Sequence, residues 1–385
     1  MDRLTPVVFH DAWGSHVSIA SLQGRDIPSP RPESELWMGA HEEGPSPTDR
    51  PGSPTLAAVV EADPVGELGA ACVERYGPRL PFLLKVLAPG RAISIQAHPT
   101  AEQARSVRES GPPDVYVDDW AKPELLLAIA PFEVFVGLRS FAEVAALVDG
   151  LQVARLSRLV ADAAGAEDPE HALLAAVLAT PADEVAELAR AVVAGCVRLE
   201  GSKGARGDDC AAVVRVAEEH PDDIGLVVLL LMNHRVLQPG EYIDVAAGVL
   251  HSYVRGLGVE VLANSDNVVR AGLTSKPVNV PELLRIVDPR ADGIAGCGRV
   301  LEPGVEVFDS GSDRFRLLRV TPGRRLPGDT SPRIVFCLRG RVTLTAASGA
   351  VELGDVESAF LPVGEGAVTL EGAGEVYLVT VPDAS

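Results

Sequence analysis

No secretion or membrane signal marks this chain. The opening MDRLTPVVFHDAWGS has no apolar core of the kind a signal peptide carries. The longest uniformly apolar runs, such as Ala172–Ala179 and Leu226–Met232, fall far short of the roughly 20 residues that span a bilayer. Cysteine is scarce and scattered: Cys72, Cys196, Cys210, Cys297 and Cys337 form no CxxC pair. That argues against a disulfide framework and for a reducing compartment. No GxSxG, P-loop or Rossmann fingerprint is present, and GLGVEVLAN does not fit GxGxxG. Cationic excess is missing too, with 34 basic residues against 54 acidic ones and a net charge of −20. This excludes nucleic acid and anionic membranes as expected partners. A phosphorylated substrate remains open, because one local basic pocket suffices. The expectation is a soluble cytoplasmic protein.

What is present is enough chain for two or three domains, at 385 residues, and 46% hydrophobic content for their cores. Up to about Arg139 the sequence mixes short apolar runs with Gly and Pro. FLLKVLA and AISIQAH read as buried strands broken at Pro89-Gly90. Residues 42–56 read as a loop, and residues 101–121 as a loop with a short helix. The texture changes at Ser140, where Ser140-x-x-Glu143 has capping-box spacing. From there to about Arg235 the chain is Ala- and Leu-rich. Five or six short helices are expected, with DPEHALLAAVLA, TPADEVAELARAVVAGC and DDCAAVVRVAEEH each opening on a capping residue. After Pro239-Gly240 strands return (EYIDVAAG, HSYVRG, VEVLAN). From about residue 300 to the end they dominate, with turn signals every 8–12 residues or so. LQPGEYIDVAAGVLHSY and ELGDVESAFLPVG echo each other in the manner of a double-stranded β-helix. The expected class is mainly β: two cupin-type barrels with an inserted helical domain.

Chemistry concentrates in a few segments. Gln96 and His98 are two apart, so on a strand both face one side. With Glu124 and the distant His251 they make a donor set suited to Zn(II). Taken singly, a lone His is more often a packed or surface residue than a ligand, and Lys122 with Glu124 is an ordinary surface pair. NSDNVVRAGLTSK (264–276) shows no periodicity and reads as a functional loop carrying Arg270 and Lys276. His10, His16, His41, His171, His220 and His234 are read as ordinary histidines.

ELWMGAH (35–41), LPFLLKVLAPGRAISIQAHPT (80–100), KPELLLAIAPFEVFVGLR (122–139), LQPGEYIDVAAGVLHSYVRG (237–256) and VEVLANSDNVVRAGLTSKPVNVPELL (259–284) together resemble type I mannose-6-phosphate isomerases, or phosphomannose isomerases. This is a family of zinc-dependent cupin enzymes. The resemblance implies one Zn²⁺ per chain on Gln96, His98, Glu124 and His251. It also implies a discontinuous catalytic cupin domain (1–139 and 236–300), a helical domain (140–235) and a C-terminal β-barrel (301–385). The implied reaction interconverts mannose 6-phosphate and fructose 6-phosphate through a cis-enediol. Glu260 is the expected base and Lys122 its rival, with Arg270 at the developing oxyanion. Ser94, which shares the face of Gln96 and His98, is expected at the phosphate with Lys85 and Lys276. A monomer or weak homodimer is expected. Another phosphorylated sugar, or a non-catalytic sugar-binding role, is the alternative. Two positions depart from the family pattern. Ala121 stands where many bacterial members carry His before KPE, so no mechanism can use that His here. Ser275 replaces the Pro of LTPK.

Overall fold

The computed structural model describes residues 1–112, 115–202, 204–328 and 330–382. Within the region read as a loop with a short helix, residues 113–114 lie outside the described residues. The helix itself is Ala101–Ser110, started by a Thr100/Gln103 capping box. Among the described residues no helix is long and apolar enough to cross a membrane.

The chain is mainly β, and its layers explain where the site sits. A seven-stranded antiparallel sheet runs in the order Ile294–Cys297, Glu241–Val245, Glu124–Ala128, Gly258–Ala263, Phe82–Leu87, Glu35–Met38, Val7–Phe9. Facing it is a five-stranded sheet: Val269–Gly272, Ile95–Ala97, His251–Arg255, Phe132–Leu138, Met232–Leu237. Between the two lie Leu126, Phe132, Val134, Val136, Ile243 and Tyr253, an apolar floor on which the polar site is set. The expected break at Pro89-Gly90 is the crossing between them: Phe82–Leu87 is in one sheet and Ile95–Ala97 in the other.

Strand Phe82–Leu87 is buried along its whole length, as is Gly258–Ala263. Each has a single charged residue, Lys85 and Glu260, and the register places those two opposite each other. Their other face carries Leu84, Val86, Val259 and Val261. These pack on Phe336, Phe360 and Ile334 of the third sheet, which has nine strands and holds most of the chain after residue 299. The N-terminal strand Asp2–Leu4 also joins this third sheet, on Glu357–Leu361.

Six helices among the described residues fill the stretch between Phe132–Leu138 and Met232–Leu237: Phe141–Leu151, Ala154–Ala163, Pro169–Leu178, Ala182–Leu199, Ala205–Glu219 and Gly225–Leu230. They cover the outer face of the five-stranded sheet. The Ser140/Glu143 capping box is formed, and Asp168 caps Pro169–Leu178. Two expected caps are not used. Ala182–Leu199 begins after Pro181, and Ala205–Glu219 begins upstream of Asp208 after Gly204, with no side-chain cap in either case. Proline's fixed φ and burial against the neighbouring helices start these helices without a side-chain acceptor.

Because Phe336 is fully buried in the layer joining the seven-stranded and nine-stranded sheets, Phe336→Ala should cost about 3–5 kcal/mol of stability. Urea unfolding followed by far-UV circular dichroism measures this directly.

Candidate metal centre and its cavity

Three strands from two sheets deliver the donors, with His98 directly after the strand Ile95–Ala97. His251 pairs in register with Gln96, and Gln96 with Arg270, so the three lie across adjacent strands of the five-stranded sheet. Glu124 opens a strand of the facing sheet. His98 Nε2 is 3.2 Å from Glu124 Oε1, and His251 Nε2 is 3.5 Å from Glu124 Oε2. Gln96 Nε2 is 3.3 Å from His251 Nε2. One ligand atom each from His98, Glu124 and His251 lies within 4.8 Å of the others.

The far side of each ring fixes its tautomer. His98 Nδ1 is 2.7 Å from the Asn267 carbonyl and His251 Nδ1 is 3.0 Å from the Val249 carbonyl. A carbonyl only accepts, so both Nδ1 atoms carry hydrogen and both Nε2 atoms present lone pairs. Burial pushes the His98 pKa down and keeps the ring neutral, despite the opposing pull of Glu124. Two lone pairs therefore face a carboxylate with no proton between them, and His98 Nε2 is a buried polar atom without a hydrogen-bond partner. Burial works against the Glu124 charge, yet the Lys122 cation 3.4 Å away favours the ionised carboxylate. A divalent cation at the meeting point would satisfy all three groups, so the residues fit one. Amide orientation is assigned by hydrogen bonding rather than fixed by shape. A half-turn of the Gln96 amide would bring Oε1 to the same point.

Above this cluster opens a cavity of about 500 Å³ lined by Gln96, Glu124, Lys122, Lys85, Glu260, Arg270, Ser94 and Lys276, among others. Its size is that of a small-molecule site. All the residues expected at the site are thus gathered, either at the cluster or around the cavity. Ser94 Oγ donates to Gln96 Oε1 at 3.2 Å, as the period-2 argument requires. Arg270 is on a strand, Val269–Gly272, and not in a loop as expected. The segment lacks periodicity because the strand is only four residues long and bulged against Ile95–Ala97. Among the described residues no carboxylate pairs with Arg270, and burial lowers its pKa. Lys276 is exposed. Lys122 Nζ is 3.4 Å from Glu124 Oε1.

Lys85 differs from the expectation of a cation free for phosphate. It is buried and bridges Glu260 Oε2 at 2.8 Å and Glu35 Oε1 at 3.0 Å. Burial opposes its charge, but Glu260 and Glu35 outweigh that and raise its pKa. Burial raises the Glu260 pKa against the opposing pull of Lys85, with Glu124 adding to the rise. Glu260 is 1% exposed, and Oε1 has no hydrogen-bond partner.

Sequence reasoning missed several lining residues. Tyr253 lies two beyond His251, and its hydroxyl is 3.4 Å from Glu124 Oε2. The period-2 rule would have found Tyr253, whereas Glu35 and Trp37 reach Lys85 through the pairing of their strand with Phe82–Leu87. His220 and Glu219 come from the end of a helix, where nothing in the pattern marked them. The Ala92 N–H donates to Glu219 Oε2 at 3.0 Å, and His220 Nε2 meets Ala92 O at 3.1 Å.

Zn²⁺ or Co²⁺ at about 100 times its Kd should stabilise the parent chain by about 2.7 kcal/mol. In His251→Ala the metal-dependent rise in unfolding temperature should disappear. Calorimetry with and without ion checks both, and a parent transition indifferent to either ion would refute the metal centre.

The family model for the catalytic domain of type I phosphomannose isomerases matches residues 1–141. The mannose-6-phosphate isomerase of Escherichia coli (strain K12) is 32% identical, over 98% of this chain and 99% of that protein. Mannose-6-phosphate isomerase 1 of Arabidopsis thaliana is 29% identical, over 86% of this chain and 81% of that one. Among solved structures, a point variant of phosphomannose isomerase from Salmonella typhimurium matches with a TM-score of 0.88 at 29% identity, covering 99% of both chains. A mannose 6-phosphate isomerase bound with zinc and yttrium matches with a TM-score of 0.87, at the same identity and coverage. Near-complete coverage in both directions, together with the site's residues gathered in one cavity, leaves a single reading: this chain belongs to the type I mannose-6-phosphate isomerase family.

Proposed function

We propose that this protein interconverts D-mannose 6-phosphate and D-fructose 6-phosphate, with one Zn²⁺ per chain held by Gln96, His98, Glu124 and His251. The observation that carries the reading is the pair of imidazole lone pairs aimed at one buried carboxylate, beneath a cavity with an unpaired arginine. When bound, the ion would supply Lewis-acid stabilisation of charge on the sugar oxygens and favour their cis arrangement.

The chain's own groups account for the rest. The reaction breaks the C2–H bond of the aldose and delivers a proton to C1, leaving the ketone at C2. Glu260, buried and raised in pKa, is placed to take and return that proton. Lys85, held between Glu260 and Glu35, tunes that carboxylate more readily than it grips phosphate. Arg270, which pairs with no carboxylate among the described residues, stabilises the developing enediolate oxygen. In this reading Lys122, which lines the cavity beside Glu124, exchanges protons with the sugar oxygens. Ser94 and Lys276, both in the cavity wall, are left as phosphate contacts.

The same reading divides the chain into a catalytic cupin domain (1–139 and 236–300), a helical domain (140–235) and a C-terminal barrel (301–385), the two β units being double-stranded β-helices. It takes the protein as cytoplasmic, and as a monomer or weak homodimer. Support comes from the two facing sheets and from six consecutive helices between Phe132–Leu138 and Met232–Leu237.

The deciding experiment follows mannose 6-phosphate to fructose 6-phosphate before chelation, after it, and with zinc restored, with glucose 6-phosphate as the alternative substrate. Activity lost and regained is the expected result; turnover indifferent to chelator overturns the metal role, and turnover of neither sugar overturns the reaction.

A second prediction concerns the base. Glu260 acts only when ionised, so kcat/KM should fall as pH drops through its raised pKa, above the ~4.3 of an ordinary glutamate. Glu260→Gln should lose roughly 10²–10⁴-fold in kcat. Near-parental turnover in that variant would move the base to Lys122.

A further inference from the structure

Asn267 is 1% exposed, two residues before the strand of Arg270, and the reaction scheme leaves it without a task. Its backbone carbonyl is the acceptor that holds His98 Nδ1 at 2.7 Å. Its side chain is committed elsewhere. Nδ2 donates to Asp118 O at 2.8 Å, Trp120 O at 2.9 Å and Asp118 Oδ1 at 3.0 Å, while Oδ1 accepts from Val117 N at 2.9 Å. Two amide hydrogens are thus shared among three oxygens of one short segment, 117–120. That segment runs directly into Lys122 and Glu124.

We infer that Asn267 is a positioning residue for the metal centre, acting through a knot of hydrogen bonds with Asp118 and Trp120. An imidazole whose Nδ1–H is tied to a carbonyl can aim Nε2 in one direction only, so the Asn267 peptide sets the aim of His98. The amide of the same residue grips the segment leading to Glu124, the carboxylate that His98 faces. One residue therefore braces two ligands that come from opposite sheets, His98 through its backbone carbonyl and Glu124 through its side chain. Asp118 Oδ1 reinforces the knot by accepting from Ser265 Oγ at 2.9 Å and Trp120 N at 2.8 Å. The Trp120 ring anchors its far end, lying 3.3 Å beneath the Arg79 guanidinium and 3.9 Å from that of Arg314, which belongs to the C-terminal part of the chain. The inference rests on the metal reading above and adds residues to it.

The test uses the full chain and Co²⁺ as the probe. Asn267→Ala, Asp118→Ala and the double variant are compared for Co²⁺ Kd, for the visible absorption of the Co²⁺ form, and for kcat and KM on mannose 6-phosphate. Unfolding temperature without metal reports whether each variant folds. Each single variant should bind Co²⁺ roughly 10–100-fold more weakly and shift its absorption bands. The double variant should lose little more than the worse single one, because both cut the same knot. A folded Asn267→Ala chain with parental Kd and spectrum overturns the inference. If Asn267→Ala does not fold, Asp118→Ala decides on the same two readouts. A parent that binds Co²⁺ but does not turn over the sugar sinks the proposed reaction alone, since Kd and spectrum still test the knot. A parent that binds no Co²⁺ overturns both.

Discussion

Two imidazole nitrogens that have given their protons to the far side of the ring, and a carboxylate buried against them, form an arrangement that water cannot relieve. Removing such groups from solvent is costly unless something positive completes the set. The rest of the site answers to that constraint. The Asn267 and Val249 carbonyls keep the rings in the tautomer that exposes Nε2. Lys122 lends charge from one side, and Tyr253 reaches the carboxylate from below. The apolar floor between the facing sheets makes the arrangement stiff as well as dry.

Much of this was legible in the sequence, for identifiable reasons. Gln96 lies in a three-residue strand with Ser94 and His98 just beyond its ends, and the alternation still brings Ser94 to Gln96 and His98 to Glu124. The Ser140 capping box is a local hydrogen-bond pattern, so it could be read locally and was found as expected. The helical block announced itself by composition. QAHP, KPE and NSDNVVRAGLT, read jointly, carried the family assignment that the full-length matches support.

What was not legible depends on pairing across the chain. Lys85 looked like a free cation because nothing local reveals that Glu260 lies opposite it in register. Both were nonetheless conspicuous as single charges in otherwise apolar strands, and that anomaly marks a buried ion pair. Arg270 was placed in a loop because a bulged four-residue strand has no room to show a period. The helix starts at Ala182 and Ala205 were misplaced because packing, not a cap, sets them. Glu219 and His220 gave no signal, since their contact is with the backbone of Ala92, which any sequence would offer.

The strands Phe132–Leu138 and Met232–Leu237 are direct antiparallel neighbours, with Leu138 opposite Met232. Everything from 139 to 231 is therefore, to the sheet, the connection of one oversized hairpin. The entropy of closing such a connection rises only logarithmically, by about 0.6 kcal/mol for each doubling of length. The ligand strands are thus nearly indifferent to how much chain hangs between these ends. Length could be gained in the turns between these helices at little entropic cost, whereas the helices themselves share one buried core with Ile95, Ala97 and Val254 of the ligand-bearing sheet. Beside that packing, the helices are tied back by Arg215 to Glu133, by His171 to the Leu284 carbonyl, and at the edge of the cavity by Glu219 and His220 to Ala92.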